Sequence, residues 1–195
     1  NRIEGAIFKD LRNNRTITIY ARQVIDATEL GDVLAQAGIP YDKGRDDTRL
    51  TGEPLPTRAD SNALQDLTYV AILKDYGPGS DCTLVAPKGY DPREFEGCCR
   101  DYNDAHVPDS SSVDAAGMLS YGKLPRGKYM INWPAHGNDF YLDIVNDPPE
   151  ERAKKLEAAK EKPLRFVYFL QHQLGFRRLG LADDEYNTAD RLPFI

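Results

Sequence analysis

Val24-Ile25-Asp26-Ala27-Thr28-Glu29-Leu30-Gly31-Asp32 is the stretch on which the reading of this chain turns. Gln23 and the residues up to Thr28 suit a short buried apolar strand, which ends at Glu29-Leu30-Gly31-Asp32. A strand closing on Ala-Thr and then a glycine brings bare backbone close to its surroundings. Small side chains are useful where a dinucleotide must lie against the chain. The plainer alternative is a strand followed by an ordinary turn, because patterns this short recur by chance.

Outward from that stretch, the upstream residues predict a hairpin. Residues 3–8 are strand-like, Asn13-Asn14 is turn chemistry, and Thr16-Ile17-Thr18-Ile19-Tyr20 is β-branched and alternating. Downstream, 33–37 suit a short helix with Asp32 as N-cap and Gly38 as its stop. Residues 40–63 turn to Gly, Pro, Asp, Arg and Thr, a long surface excursion held by Pro54 and Pro56. Such loops often carry function, so this one is a candidate wall of a site. A strand is predicted over 67–73, then irregular, turn-rich chain over 75–128, then strands at 129–133 and 139–142. Pro148-Pro149 opens a helix over 150–162 with charges of both signs. Pro163 should break or kink it. The stretch 164–174 is apolar almost all round and predicts a buried helix ended by Gly175.

Composition removes several function classes. The 195 residues carry a net charge of -6, and no Lys/Arg stripe offsets it, so a nucleic-acid backbone would be repelled. No uninterrupted apolar run approaches the roughly 20 residues a bilayer requires, so no membrane partner is expected. Asn1-Arg2-Ile3-Glu4 lacks the apolar stretch of a secretory leader. Cys98 and Cys99 are adjacent, which hinders each from closing its own bridge, and Cys82 stands apart. Free thiols, or at most one bridge, are expected. No CxxC is present, and neither His136 nor His172 has a partner at ligand spacing, so no metal is predicted.

A second cluster lies at Asn132-Trp133-Pro134-Ala135-His136-Gly137-Asn138-Asp139, with Tyr141 beyond. Pro134 and Gly137 suggest a shaped turn. Histidine titrates near neutrality, and a neighbouring carboxylate can fix its tautomer. His136, Asn138 and Asp139 are therefore the candidate catalytic residues, facing a substrate or a cofactor ring. The alternative is a polar turn that satisfies its own backbone, with Trp133 in the core. His106 is expected on the surface, and His172 as an ordinary residue of the apolar helix.

Ile25-Asp26-Ala27-Thr28-Glu29-Leu30-Gly31-Asp32, followed by Ala37-Gly38-Ile39-Pro40-Tyr41 and Gly44-Arg45, resembles a family of bacterial FAD-dependent oxidoreductases of the two-dinucleotide-fold type. Its members carry an Ala-Thr-Gly or Ala-Thr-Glu strand end after the β-meander of the FAD domain. Glu29 stands where glycine is commoner, which fits a subfamily. The Asn132–Asp139 block, Phe169-Leu170-Gln171, and Gly180-Leu181 with Asp184-Glu185 resemble the same subfamily. The resemblance implies that Ala27, Thr28, Gly31 and Asp32 lie near FAD.

The expected fold is then α+β: the end of an FAD-domain β-meander over 1–32, followed by a substrate-side domain of mixed sheet with C-terminal helices over 33–195. Such a flavoprotein receives its pyrophosphate on a glycine-rich strand-to-helix turn. No GxGxxG exists in this chain, and Gly77-Pro78-Gly79-Ser80-Asp81-Cys82 lacks the last glycine. The chain is thus expected to be an internal fragment, inactive and without FAD alone, whose partners are the remainder of the parent polypeptide and a small-molecule substrate. The parent would pass a hydride or two electrons between flavin and an organic substrate. Two other readings stay open. Asn132, His136 and Tyr141 supply the residue types of a polysaccharide lyase, and the long polar loops would suit a non-catalytic interaction module.

Overall fold

A computed structural model describes residues 3–54 and 58–192. The fold is α+β. Residues up to Leu64, with Asp143–Asp147, form one compact unit; Gln65–Leu142, with the residues from Pro148 onward, form a second. Residue 32, where the expected domain boundary falls, lies inside the first unit. Pro56 of the expected loop lies outside the described residues.

The first unit begins with the predicted hairpin, β1 (Gly5–Asp10) against β2 (Arg15–Tyr20). Asp10 sets its turn by accepting from the amides of Arg12 at 3.0 Å and Asn13 at 3.3 Å. The register puts Ala6 opposite Ile19 and Phe8 opposite Ile17 on one face. That apolar face is not covered, since Phe8 and Ile19 are each 52% exposed.

The strand expected over 23–28 does not form, and Ile25 is 90% exposed. A strand must exchange backbone bonds with a neighbour, whereas here the Asp26 carboxylate takes the nearby amides instead. Helix α1 (Asp32–Gln36) follows close to its expected place. Asp32 is its first residue rather than its cap. The N-cap position is Gly31, and upstream side chains supply the bonds. Further on, α2 (Thr48–Thr51) is capped by Asp47, and a bridge between Arg45 and Asp60 closes the excursion.

The second unit holds the core. The strand predicted over 67–73 is split into β3 (Leu67–Thr68) and β4 (Ala71–Asp75), because the chain changes partners at Tyr69-Val70. β3 pairs with β7 (Asp139–Phe140). β4 joins the antiparallel sheet β5 (Lys123–Leu124), β6 (Lys128–Ile131), β4, β8 (Leu179–Leu181). Within the stretch read as irregular lie a 3-10 turn at Pro92–Phe95, capped by Asp91, and α3 (Ala115–Tyr121), capped by Asp114.

Helices α4 (Pro149–Ala159) and α5 (Glu161–His172) complete the unit. The break falls at Lys160, not at Pro163. Proline is tolerated in the first turn of a helix, where its missing amide would have no intrahelical acceptor, and Pro163 is the third residue of α5. Phe166, Val167, Phe169 and Leu170 of α5 pack on Leu73, Phe95, Met118 and Ile131. Gln171 is buried too. Its amide donates to the carbonyls of Cys82 at 2.8 Å and Leu179 at 2.6 Å, and its oxygen accepts from the Leu84 amide at 2.9 Å. His172 stacks on Tyr168, and His106 is exposed. No helix among the described residues is long and apolar enough to cross a membrane.

One ion cluster holds the 3-10 turn to α5. Glu94 accepts from Arg165 through both oxygens, at 2.8 and 2.9 Å, and from Lys162 at 3.0 Å. Burial pushes the Glu94 carboxyl up, but the bonds from Arg165 and Lys162 outweigh it and hold the carboxyl below its ordinary value. A folded-state value lowered in this way stabilises the fold above the unfolded carboxyl's pKa of about 4.3 and loses that contribution as pH falls through the depressed value. Glu94→Gln is expected to destabilise by about 1 kcal/mol near neutrality, with screening allowed for. Urea unfolding of both proteins should show the difference shrinking in acid; a difference independent of pH would contradict the assignment.

Candidate functional site

The four residues expected near a cofactor belong to one turn in the first unit. Asp26 organises it. One carboxylate oxygen accepts from the Thr28 amide at 3.0 Å and the Thr28 hydroxyl at 2.8 Å; the other accepts from the Leu34 amide at 2.8 Å. The Thr28 hydroxyl oxygen accepts in turn from the Asp32 amide at 2.8 Å. These bonds, led by that of the Thr28 amide, hold the Asp26 carboxyl below its ordinary value. Asp26 was the residue that sequence reasoning left without a role. Its signal was Asp-x-Thr ahead of a helix, a pattern in which the carboxylate captures amides two residues and further on.

The turn borders a cleft of about 310 Å³ whose walls include Glu29, Leu30, Gly31, Leu34, Tyr41 and Lys43. Of the four expected residues, Gly31 lines it; Thr28 and Asp32 brace the turn, and Ala27 is an exposed link between Asp26 and Thr28. Gly31 has φ +65°, and a Cβ added there would meet nothing within 4 Å. A flat group could therefore lie against bare backbone. Lys43 is paired with Asp143 at 2.6 Å, and Tyr41 donates to Asn146.

These residues fit one part of a flavin nucleotide. Leu30, Leu34, Tyr41 and the open face of Gly31 suit an uncharged ring or ribose. A pyrophosphate requires converging amides or free cations, whereas this cleft offers carboxylates and a lysine already paired. Its volume also sits at the bottom of the range for ligand pockets, roughly 300–1,000 Å³. The cleft has room for one part of such a nucleotide and offers no cradle for its pyrophosphate. Gly77–Cys82 follows β4 but leads into no helix, so it does not supply the cradle either.

The second candidate is the turn between β6 and β7. Asn138 closes it from inside. Fully buried, it accepts from the Trp133 amide at 2.9 Å and donates to the carbonyls of Tyr69 at 3.1 Å and Ile131 at 3.0 Å. It thus fills the gap where β3 gives way to β4, and its amide is committed to backbone. Gly137 is required by close packing, since a Cβ there would stand 2.2 Å from the Trp133 carbonyl oxygen. Asp139 accepts a hydrogen bond from the Thr68 hydroxyl across the β3–β7 pair. Trp133 donates its indole N–H to the Cys98 carbonyl at 2.7 Å.

His136 is different. It is half-buried with φ 50°, and its Nε2 lies 3.0 Å from the Pro108 carbonyl oxygen. A carbonyl only accepts, so a hydrogen bond here places a proton on Nε2 and leaves Nδ1 as the ring nitrogen that Pro108 does not engage. The turn brings His136, Asn138 and Asp139 close in sequence but gives them separate tasks. The crevice under Asn132 and Trp133 holds only about 10 Å³, room for one water. A wider cleft of about 380 Å³ lies elsewhere in the unit, walled by Leu119, Lys123, Tyr129, Phe176 and Arg178. Its walls come from α3, β5, β6 and the approach to β8, so no single stretch of sequence announced it. Among the described residues no three His, Cys, Asp or Glu side chains gather as metal ligands.

An apolar cleft with bare backbone and a histidine-bearing turn are the candidate sites of this chain. The model of the family described as FAD dependent oxidoreductase matches residues 1–193, and the chain belongs to that family. No curated protein and no solved structure matches it.

Proposed function

We propose that this chain forms part of an FAD-dependent oxidoreductase that exchanges a hydride or two electrons with a small organic substrate. The observation that carries the proposal beyond the family is the uncovered apolar surface of the first unit: Phe8, Ile17 and Ile19 of the hairpin, together with Ile25. A two-stranded hairpin is marginal by itself in water, and apolar area left wet forgoes about 25 cal/mol per Å². Both facts favour further polypeptide packing there in the parent protein, and the same polypeptide would complete the FAD cradle. We assign 1–32 to the cofactor domain and 33–195 to the substrate side.

Bound FAD supplies the redox chemistry. Gly31, with Ala27, Thr28 and Asp32 shaping its turn, provides bare backbone for the nucleotide to lie against. His136 takes and returns a proton at a substrate heteroatom through Nδ1. Asn138 positions that turn, and Asp139, tied to Thr68, fixes its exit.

The purified 195-residue chain is expected to be colourless and to show no stoichiometric FAD binding by calorimetry. The parent protein is expected to purify yellow and to bleach on reduction. Tight FAD binding by the short chain would overturn the fragment reading, and a colourless parent would overturn the flavin reading.

A further inference from the structure

One end of the core face in the second unit stays open. The strand register sets Lys123 opposite Tyr129, Tyr129 opposite Leu73, and Leu73 opposite Leu181. Directly opposed residues of a sheet share a face, so these side chains leave it on the side where Leu73 is buried in the core. Two residues further along β4, Asp75 stands opposite Leu179 in the same way. Helix α3 and the chain leaving α5 add Leu119 and Phe176 to this end, but their other contributions are small: Ala116, Ser120 and Gly175. Gly175 has φ +77°, and a Cβ added there would meet nothing within 4 Å. The space those small residues leave is the cleft of about 380 Å³.

Its walls are of two kinds. Leu119 and Leu179 are buried, and with Phe176 and the Tyr129 ring they form an apolar side continuous with the core. The polar side is Lys123, Arg178 and Asp75. Arg178 Nη2 donates to one Asp75 oxygen at 2.6 Å, and the other accepts from the Gly77 amide at 2.8 Å, so that carboxylate is already engaged. A guanidinium has five N–H groups, and this single bond leaves Arg178 with donors to spare. Among the described residues Lys123 makes no ion pair, and the Tyr129 hydroxyl makes no hydrogen bond. The cleft thus sets two cations against one carboxylate, on a chain whose net charge is -6.

We infer that this cleft is a binding site for a small arylalkyl monocarboxylate. The aryl body rests on Leu119, Tyr129, Phe176 and Leu179, and the carboxylate meets Lys123 and the free N–H groups of Arg178. A cavity of about 150 Å³ is enough to hold benzene, so the space here takes a phenyl ring and a short chain besides. A cationic ligand would face Lys123 with no anion left to receive it, since Asp75 is paired. An anion without an apolar body would leave the buried leucines unused. The site lies outside both turns to which the flavin reading gives roles, and it stands whether or not that reading does.

The test titrates hydrocinnamate into the intact 195-residue chain by calorimetry and by proton–nitrogen correlation NMR. Saturable binding at one site is expected, with a Kd of about 1 mM or tighter, as suits a ligand of this size. Amide signals of Ser120, Lys123 and Gly175 should move with the same midpoint. Hydrocinnamyl alcohol, the same body without the charge, should bind about tenfold more weakly. Acetate, the charge without the body, should not saturate. Lys123→Gln alters an exposed side chain that bonds no other, and should weaken the acid about fivefold while leaving the alcohol unchanged. No saturable binding of the acid, equal affinity for acid and alcohol, saturation by acetate, or shifts confined to other residues would overturn the site. Undiminished affinity for the acid in Lys123→Gln would overturn Lys123 as the partner of the anion.

Discussion

Asn138→Ala is expected to destabilise the second unit by about 3–5 kcal/mol, the sum of three backbone groups left unsatisfied at roughly 1–3 kcal/mol each less some relaxation. The side chain is fully buried and bonds the Trp133 amide and the carbonyls of Tyr69 and Ile131. Asn138→Asp is expected to be at least as harmful, because a carboxylate cannot donate to either carbonyl and would carry charge into the core. Urea unfolding followed by Trp133 emission measures both. A loss under about 1 kcal/mol for Asn138→Ala would remove the ground for treating Asn138 as the clamp of the turn.

Phe169→Ala should cost about as much, in the range of roughly 3–5 kcal/mol found for truncating a buried phenylalanine. Its ring is fully buried at the meeting point of three others, with centroids 5.0 Å from Phe95, 4.8 Å from Tyr102 and 6.0 Å from Phe166. The mechanism is distinct, since truncation here opens an apolar cavity instead of orphaning polar groups. Domains hold only about 5–15 kcal/mol in reserve, so either variant brings this unit near its threshold. The thermal midpoint by circular dichroism is the measurement. Phe169→Leu should recover part of the loss, and equal losses for Leu and Ala would point away from cavity formation.

The sequence declared its local structure more openly than its tertiary exchanges. Alternation in 16–20 and the Asn13-Asn14 turn were enough for the hairpin, and the apolar residues of 164–174 for the buried helix. Three features depend on partners that no local pattern encodes. The apolar run 67–73 looks continuous, yet it divides where Asn138, some seventy residues away, takes the Tyr69 carbonyl. Residues 24–28 have strand composition, but Asp26 takes the amide of Thr28 and that of Leu34 beyond the stretch, and no neighbouring strand among the described residues pairs with it. Pro163 looked like a breaker because its effect depends on its distance from a helix start that composition does not fix.

The candidate residues divide in the same way. Gly31 was legible as a turn glycine and His136 as part of a polar turn, from the small and polar residues around them. The bracing by Asp26 and the Thr68–Asp139 contact were not legible, being relations between side chains and distant backbone. The α3-lined cleft drew on four separate segments and could not be seen in any one of them.

The hairpin of the first unit carries a consequence for how this chain behaves in bulk. Its two outer edges have no partner strand among the described residues, and one face presents Phe8, Ile17 and Ile19 to water. An open β-edge beside a greasy face is a template on which extended chains can add, so crowding and concentration will govern colloidal behaviour more than core stability does. Lys9, Asp10, Arg12 and Arg15, gathered around the turn, act as electrostatic bumpers at one end of that template, leaving the opposite end the stickier one.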